Sequence, residues 1–154
     1  MLASAQAEAD RIGLLRNSIR NGGGNLVGCL GEQALLTFLP GSVPDNTYQH
    51  DVRWEGLTFE CKTKDRTVPP LAEYNASVAC FNTEQQADYY AFFSALRIEG
   101  TRDYTKVYFC GLITPAEFYE KSTLVEEGDH DQSNDWTAPT TSRALHYSEL
   151  DRFL

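Results

Sequence analysis

The stretch that most constrains the fold of this chain runs from residue 50 to residue 64, where apolar and polar residues alternate on both sides of Glu55-Gly56. Alternation with a period of two is typical of strands with one buried face, and a two-residue connection between such strands predicts a β-hairpin. With Glu55-Gly56 as the loop, Val52 faces Phe59. The apolar face of the predicted hairpin then consists of Val52, Trp54, Leu57, Phe59 and Cys61.

The opposite face of the predicted hairpin carries charge. Asp51 and Glu60 face each other there, and Lys62 lies two residues further along the second strand. Opposed Cβ atoms in antiparallel strands lie about 4.5–5.5 Å apart, and like charges at that spacing destabilise a sheet. Two carboxylates held together beside a lysine therefore predict a site for a hard divalent cation. The alternative is an exposed strand face with ordinary ion pairs, Asp51 with Arg53 and Glu60 with Lys62 or Lys64.

Length and composition indicate one globular domain over residues 1–154, large enough for a single core. We see no signal peptide and no membrane span, and the four widely spaced cysteines are typical of reduced, buried thiols. These features predict a cytoplasmic protein, or one of the host cytoplasm if the chain is phage-encoded. The formal net charge of −9 weighs against a broad basic surface for nucleic acid. It leaves room for a nuclease, since part of the acidic charge can lie in a metal site.

Helical and strand patterns surround the hairpin and predict an α/β fold. We expect an N-terminal helix within residues 1–20, a helix over 26–39, strands over 87–98 and 106–113, a helix from Thr114 to about Ser122 and an acidic surface loop over 126–142. Residues 71–86 are ambiguous between helix and strand. In the helix over 26–39, Glu32 shares a face with Leu35. A carboxylate on such a face needs a cation or hydrogen-bond donors if it is buried, and otherwise lies at the edge in water.

The charged face of the hairpin has the residue types that phosphodiester hydrolysis requires. A cation held by carboxylates activates water and neutralises the charge that builds on the phosphate oxygens. A lysine beside it positions or deprotonates that water, or stabilises the transition state. Glu60 and Lys62 point the same way along the strand while the Cys61 side chain points to the core. The backbone carbonyl of Cys61 is then available as a neutral oxygen ligand.

Asp51 followed across the turn by Glu60-Cys61-Lys62 resembles the Asp…Glu-x-Lys signature of the PD-(D/E)XK nuclease superfamily, which has the restriction-endonuclease-like fold. The resemblance covers about residues 25–122 and includes Gly28-x-x-Gly31-Glu32, which is similar to a glycine-rich helix of the family. It implies an αβββαβ core with a mixed sheet flanked by helices, and a Mg²⁺-dependent activity for which Mn²⁺ substitutes. It also implies roles for individual residues: Asp51, Glu60 and the Cys61 carbonyl as metal ligands, Lys62 as catalytic lysine and Glu32 as a supporting acid.

The function that these features predict is a Mg²⁺-dependent DNA endonuclease that hydrolyses phosphodiester bonds. The low basic content indicates either a homodimer or a confined basic groove that uses Arg16, Arg20, Lys64, Arg66 and Lys106. A glutamine–tyrosine element of the exonuclease branch is matched by Gln85 with Tyr89 or by Gln86 with Tyr90. The alternative function is a non-catalytic acidic interaction protein, such as a DNA mimic, whose carboxylates spread over one face instead of converging.

Overall fold

The computed structural model describes residues 25–45, 49–80, 86–132 and 135–152. The helix predicted within residues 1–20, together with Arg16, Arg20 and Gln85, lies outside the described residues. The elements, numbered in chain order, are α1 (Asn25–Phe38), β1 (Val43–Pro44), β2 (Val52–Trp54), β3 (Leu57–Arg66), β4 (Asn75–Ala79), β5 (Tyr89–Arg97), β6 (Tyr104–Ile113), α2 (Pro115–Lys121), β7 (Thr123–Val125), β8 (His130–Asp131), β9 (Trp136–Thr137), β10 (Ser142–His146) and a 3₁₀ turn (Tyr147–Glu149).

A five-stranded mixed sheet, in the order β1-β2-β3-β5-β6, forms the centre of the molecule. Strands β3 and β5 are parallel, and the other neighbours are antiparallel. Strand β5 is buried on both faces, as its apolar sequence predicts. The α/β class with a mixed sheet and flanking helices is thus confirmed. In the described parts of the chain no helix lies between β3 and β6, and α2 follows β6.

Helix α1 covers one face of this sheet. Leu35 of the helix and Leu39 just after its end pack with Val52, Phe59 and Phe93 of the strands, and Phe59 is fully buried. Gly31 permits the close approach, because a Cβ there would overlap the Thr63 hydroxyl and press on the Phe93 ring. This contact between α1 and β3 fixes the position of the next residue in the helix, Glu32.

A second sheet, in the order β4-β10-β7, covers the other face of the central sheet together with α2. Tyr90 and Phe92 of β5 pack there with Phe118 of α2 and Leu145 of β10. Helix α2 begins as predicted, because the Thr114 hydroxyl accepts a hydrogen bond from the Glu117 N–H at 3.3 Å. The ambiguous segment 71–86 contains strand β4. The central sheet is therefore covered by a helix on one side and by strands and a short helix on the other.

The segment over 126–142, predicted as a surface loop, contains the antiparallel pair β8–β9. Most of its residues are exposed, but Ala138 is buried and Trp136 is half-buried. The predicted surface loop is therefore mostly exposed, but the prediction did not include the β8–β9 pair or the partial burial of Trp136. The described helices include none with the length and apolar character that crossing a lipid bilayer requires.

Candidate active site

The β2–β3 turn positions the candidate site. Glu55 and Gly56 both have positive φ, 48° and 81°, which is the conformation of a two-residue type I′ turn. The predicted register is confirmed: Val52 pairs with Phe59, and Trp54 pairs with Leu57. One turn therefore fixes which side chains of β3 reach the helix and which reach the second sheet.

Asp51 lies just before β2 and does not continue the ladder opposite Glu60 as predicted. Its N–H donates to the Phe59 carbonyl at 2.8 Å, and its carboxylate accepts from the Cys61 N–H, also at 2.8 Å. The Asp51 carboxylate thus accepts the hydrogen bond that a backbone carbonyl of β2 would accept if the strand continued. The Cys61 carbonyl lies on the same side as its N–H, since both groups of a strand residue face the same neighbour.

Glu60 and Lys62 form an ion pair beside this edge. Lys62 Nζ lies 2.8 Å from Glu60 Oε1, and their side chains are only 17% and 7% exposed. The exposed strand face considered above would leave these groups in water. Removing charges from water costs several kcal/mol per ion, so a buried pair needs close contact between its members. The contact with Lys62 therefore offsets part of the cost of burying Glu60.

Glu32 reaches the same place from α1. Burial first, then the charge of Glu60 and then that of Glu32, raise the pKa of the Asp51 carboxyl well above its usual range. Lys62 and the Cys61 N–H oppose this rise. The pKa of the Cys61 thiol is likewise raised, by burial and then by the same carboxylates. The structure thus brings together Asp51, Glu60, Lys62 and Glu32, which we call the carboxylate cluster.

The donor set of this cluster fits Mg²⁺. The described ranges contain no group of three or more His, Cys, Asp or Glu side chains that could hold a metal ion. Mg²⁺ does not need one, because it is usually bound by one or two carboxylates with water and substrate phosphate completing its shell. The carboxylates of Asp51 and Glu60 and the Cys61 carbonyl are oxygen donors of this kind. A divalent cation would also relieve the repulsion that raises the pKa of Asp51.

A second polar network holds the chain on the other side of Asp51. Asp45 Oδ2 accepts from Arg53 Nε at 2.9 Å and lies 2.9 Å from His50 Nε2. The Asp45 N–H donates to the Asp51 carbonyl at 2.8 Å. Arg53 therefore pairs with Asp45, not with Asp51 as the exposed-strand alternative requires. Sequence reasoning missed Asp45, which precedes the hairpin and carries no motif.

The remaining basic residues of β3, Lys64 and Arg66, lie beside aromatic rings. Lys64 Nζ lies 4.8 Å from the centroid of the Trp136 ring, and Arg66 stacks over Tyr74 at 4.4 Å. Burial, and then the charge of Arg66, lower the pKa of Lys64 to about 8. Gln86 is exposed. The described basic residues of the expected groove thus divide: Lys64 and Arg66 are half-buried beside aromatic rings, and Lys106 is exposed.

A cleft of about 680 Å³ opens beside the carboxylate cluster. Its walls come from β3, β4, β5, β10 and the β8–β9 hairpin, and include Lys62, Lys64, Phe92, Trp136, Thr137 and Ser142. We call it the Trp136 cleft. Sequence reasoning missed Trp136, and the available signal was a large aromatic residue within a polar, acidic segment. Comparison of the chain with protein-family models, with curated proteins and with solved structures finds no match.

Proposed function

We propose that this protein is a Mg²⁺-dependent DNA endonuclease of the PD-(D/E)XK type. The observation that carries the proposal is the convergence of Asp51, Glu60 and Lys62 at the edge of β3 where β2 ends, with Glu32 supplied by α1. Helix α1, the β2–β3 hairpin and the parallel strand β5 are, in this proposal, the part of a restriction-endonuclease-like core that carries the site.

The residues of the site have separate tasks in this proposal. Asp51 and Glu60, with the Cys61 carbonyl, would hold Mg²⁺, which supplies an activated water and neutralises charge on the phosphate. The Cys61 N–H fixes the Asp51 carboxylate in place. Lys62, whose ammonium is held by Glu60 in the lining of the Trp136 cleft, stabilises the negative charge that develops on the phosphate oxygens. Glu32 adds negative charge from the helix side and so favours the bound cation.

The arrangement of the acidic groups favours this function over the non-catalytic alternative. An acidic mimic of DNA would present its carboxylates to a partner, spaced over an exposed surface. Here Glu60 is buried, and Asp51 and Glu32 are half-buried. The net charge of −9 includes these groups, which are the residues that a cation would neutralise. The alternative nevertheless makes a distinct prediction, a folded protein without cleavage activity.

Cleavage of labelled single-stranded, duplex and branched DNA with Mg²⁺, Mn²⁺ or EDTA tests the proposal. We expect cleavage with either cation and none with EDTA. Lys62→Ala should lower the rate at least about a hundredfold, since the lost contact acts on transition-state charge. Lys121→Ala, which removes an exposed lysine of α2, is the matched control and should cleave normally.

Circular dichroism and thermal melting establish that both variants are folded. The absence of cleavage of all three substrates with both cations would refute the proposal and leave the non-catalytic alternative. Equal rates for the wild-type protein and folded Lys62→Ala would remove Lys62 from the catalytic machinery.

A further inference from the structure

The Trp136 cleft has the size and lining of a binding site for a small organic group. Its volume of about 680 Å³ is within the range of ligand pockets, roughly 300–1,000 Å³. The lining combines aromatic carbon of Phe92 and Trp136, hydroxyls of Thr137 and Ser142, and the ammonium group of Lys64. A nucleotide needs these three elements: an aromatic surface for its base, polar groups for its sugar and a cation for its phosphate.

Trp136 and Lys64 form the central pair of this lining. The Lys64 ammonium is 4.8 Å from the centroid of the indole, within the range of a cation–π contact. Trp136 is brought over β3 by the β8–β9 hairpin and stays partly exposed. An indole held at the edge of a cleft is a stacking surface for any base, and stacking is the sequence-tolerant part of single-strand recognition.

The cleft shares Lys62 with the carboxylate cluster. Lys62 lines the cleft and also contacts Glu60 at 2.8 Å, while Lys64 follows on the same face of β3. Successive residues on one face of a strand are about 6.6–6.8 Å apart, close to the spacing of phosphates along an extended nucleic acid strand. A strand that places one phosphate at Lys62 therefore brings the neighbouring nucleotide to Lys64 and Trp136.

The net charge of the protein favours single-stranded over duplex DNA as the ligand of the Trp136 cleft. Duplex binding relies on many phosphate contacts by a basic surface, and a chain with a net charge of −9 is poorly suited to it. Binding of an unpaired strand draws much of its free energy from stacking on aromatic rings and needs only a local cationic groove. The Trp136 cleft has both of these features within a few ångströms.

We propose that the Trp136 cleft binds unpaired nucleotides of single-stranded DNA, with a base against Trp136 and a phosphate at Lys64. This inference deepens the proposed nuclease function and rests on it for the fate of the strand. It restricts the substrate to single strands, flaps and frayed ends. The binding step itself requires neither Mg²⁺ nor cleavage.

Fluorescence anisotropy in EDTA measures this binding separately from catalysis. The probe is a labelled oligothymidylate of about twelve nucleotides, compared at one salt concentration with its duplex and with oligouridylate. We expect the single strand to bind at least about tenfold more tightly than the duplex. Trp136→Ala should weaken single-strand binding about tenfold, and Trp136→Phe should retain most of it, because phenylalanine still stacks.

Phe38→Ala is the matched control, since Phe38 is an aromatic residue of α1 that is 57% exposed and lies outside the cleft lining. Lys64→Gln gives a second measurement at the same cleft if Trp136→Ala fails to fold, and it should also weaken binding. Equal binding by wild type, folded Trp136→Ala and Lys64→Gln would overturn the inference. So would tighter binding of duplex or of oligouridylate than of oligothymidylate.

The cleavage assay distinguishes this inference from the proposed function. Single-strand binding that depends on Trp136, without cleavage under any metal, would refute the nuclease function and retain the cleft as a binding site. Metal-dependent cleavage that is unchanged in Trp136→Ala and Lys64→Gln would retain the nuclease and refute the role of the cleft.

Discussion

The two faces of strand β3 carry residues of opposite character, apolar on one side and charged on the other. Phe59 and Cys61 point to α1 and are buried in an apolar cluster. Glu60, Lys62 and Lys64 alternate with them and point to the second sheet, where they are shielded from water by ion pairing and by Trp136. Burial of the first face stabilises the folded protein. Burial of the second face destabilises it, because charges are costly to remove from water.

This difference indicates what each face is for. A strand that only had to pack could carry apolar residues on both faces, as β5 does. Each charge on the face of β3 that points to the second sheet instead has a specific neighbour: Lys62 for Glu60, Trp136 for Lys64 and Tyr74 for Arg66. Charged groups retained at such cost are typical of sites that act on a ligand. The predictions that follow test whether the two faces contribute to stability with opposite sign.

The largest expected effect is on the apolar face. Phe59→Ala removes a fully buried ring between α1 and the sheet, and it should lower the free energy of unfolding by about 3–5 kcal/mol. Urea denaturation followed by circular dichroism measures this change. Val68→Ala, at an exposed apolar residue beyond the end of β3, is the control and should change stability by under about 0.5 kcal/mol. A loss below about 1 kcal/mol for Phe59→Ala would show that α1 contributes little to the core.

Asp51→Asn, at the charged edge, should act in the opposite direction. The amide oxygen still accepts from the Cys61 N–H, but asparagine has no carboxyl group whose ionisation is opposed by burial, Glu60 and Glu32. We expect a gain on the order of 1 kcal/mol at pH 7 in EDTA. The raised pKa of Asp51 fixes the pH dependence: the folded wild type keeps a proton that the unfolded chain has lost, so its stability falls as the pH rises above about 4.

The pH-dependent gain from Asp51→Asn should therefore vanish only below pH 3.8, the ordinary pKa of the carboxyl group, and grow towards pH 7. Urea denaturation at several pH values checks this, with exposed Asp103→Asn as the control. Addition of millimolar Mg²⁺ should make the wild type more stable than Asp51→Asn, because a cation that binds only the folded wild type stabilises it by mass action. A wild-type protein that is more stable than Asp51→Asn in EDTA at pH 7 would contradict the proposed repulsion.

The apolar face of β3 was predictable because it depends on local pattern alone. Alternation around Glu55-Gly56 gave the correct pairing of Val52 with Phe59, since strand period and loop length determine register. Glu32 was also correctly associated with an apolar stripe, because helical spacing is regular. The position of Glu32 relative to the sheet was not predictable in this way. It depends on the contact of Gly31 with Thr63, which joins two elements far apart in sequence.

The charged side was predictable only in part. The sequence places Asp51 opposite Glu60, but the ladder ends at Val52 and the carboxylate turns to the Cys61 N–H instead. Trp136 was missed for a similar reason, because its position over Lys64 depends on long-range packing of a short hairpin. Local pattern thus determined which residues face which way, and tertiary contacts determined what each charge touches.

The smallest expected effect tests the turn that both faces share. Glu55 is exposed and has a φ of 48°, a left-handed conformation that disfavours most residues and suits asparagine. Glu55→Asn should therefore raise the free energy of unfolding by about 0.5–1 kcal/mol without altering the site. Glu55→Gln is the matched control, because it removes the same charge without the conformational preference of asparagine. Equal stability of the two variants in urea would assign any gain to lost charge. A gain confined to Glu55→Asn would show that the left-handed backbone of the turn that joins β2 to β3 costs stability in the wild-type protein.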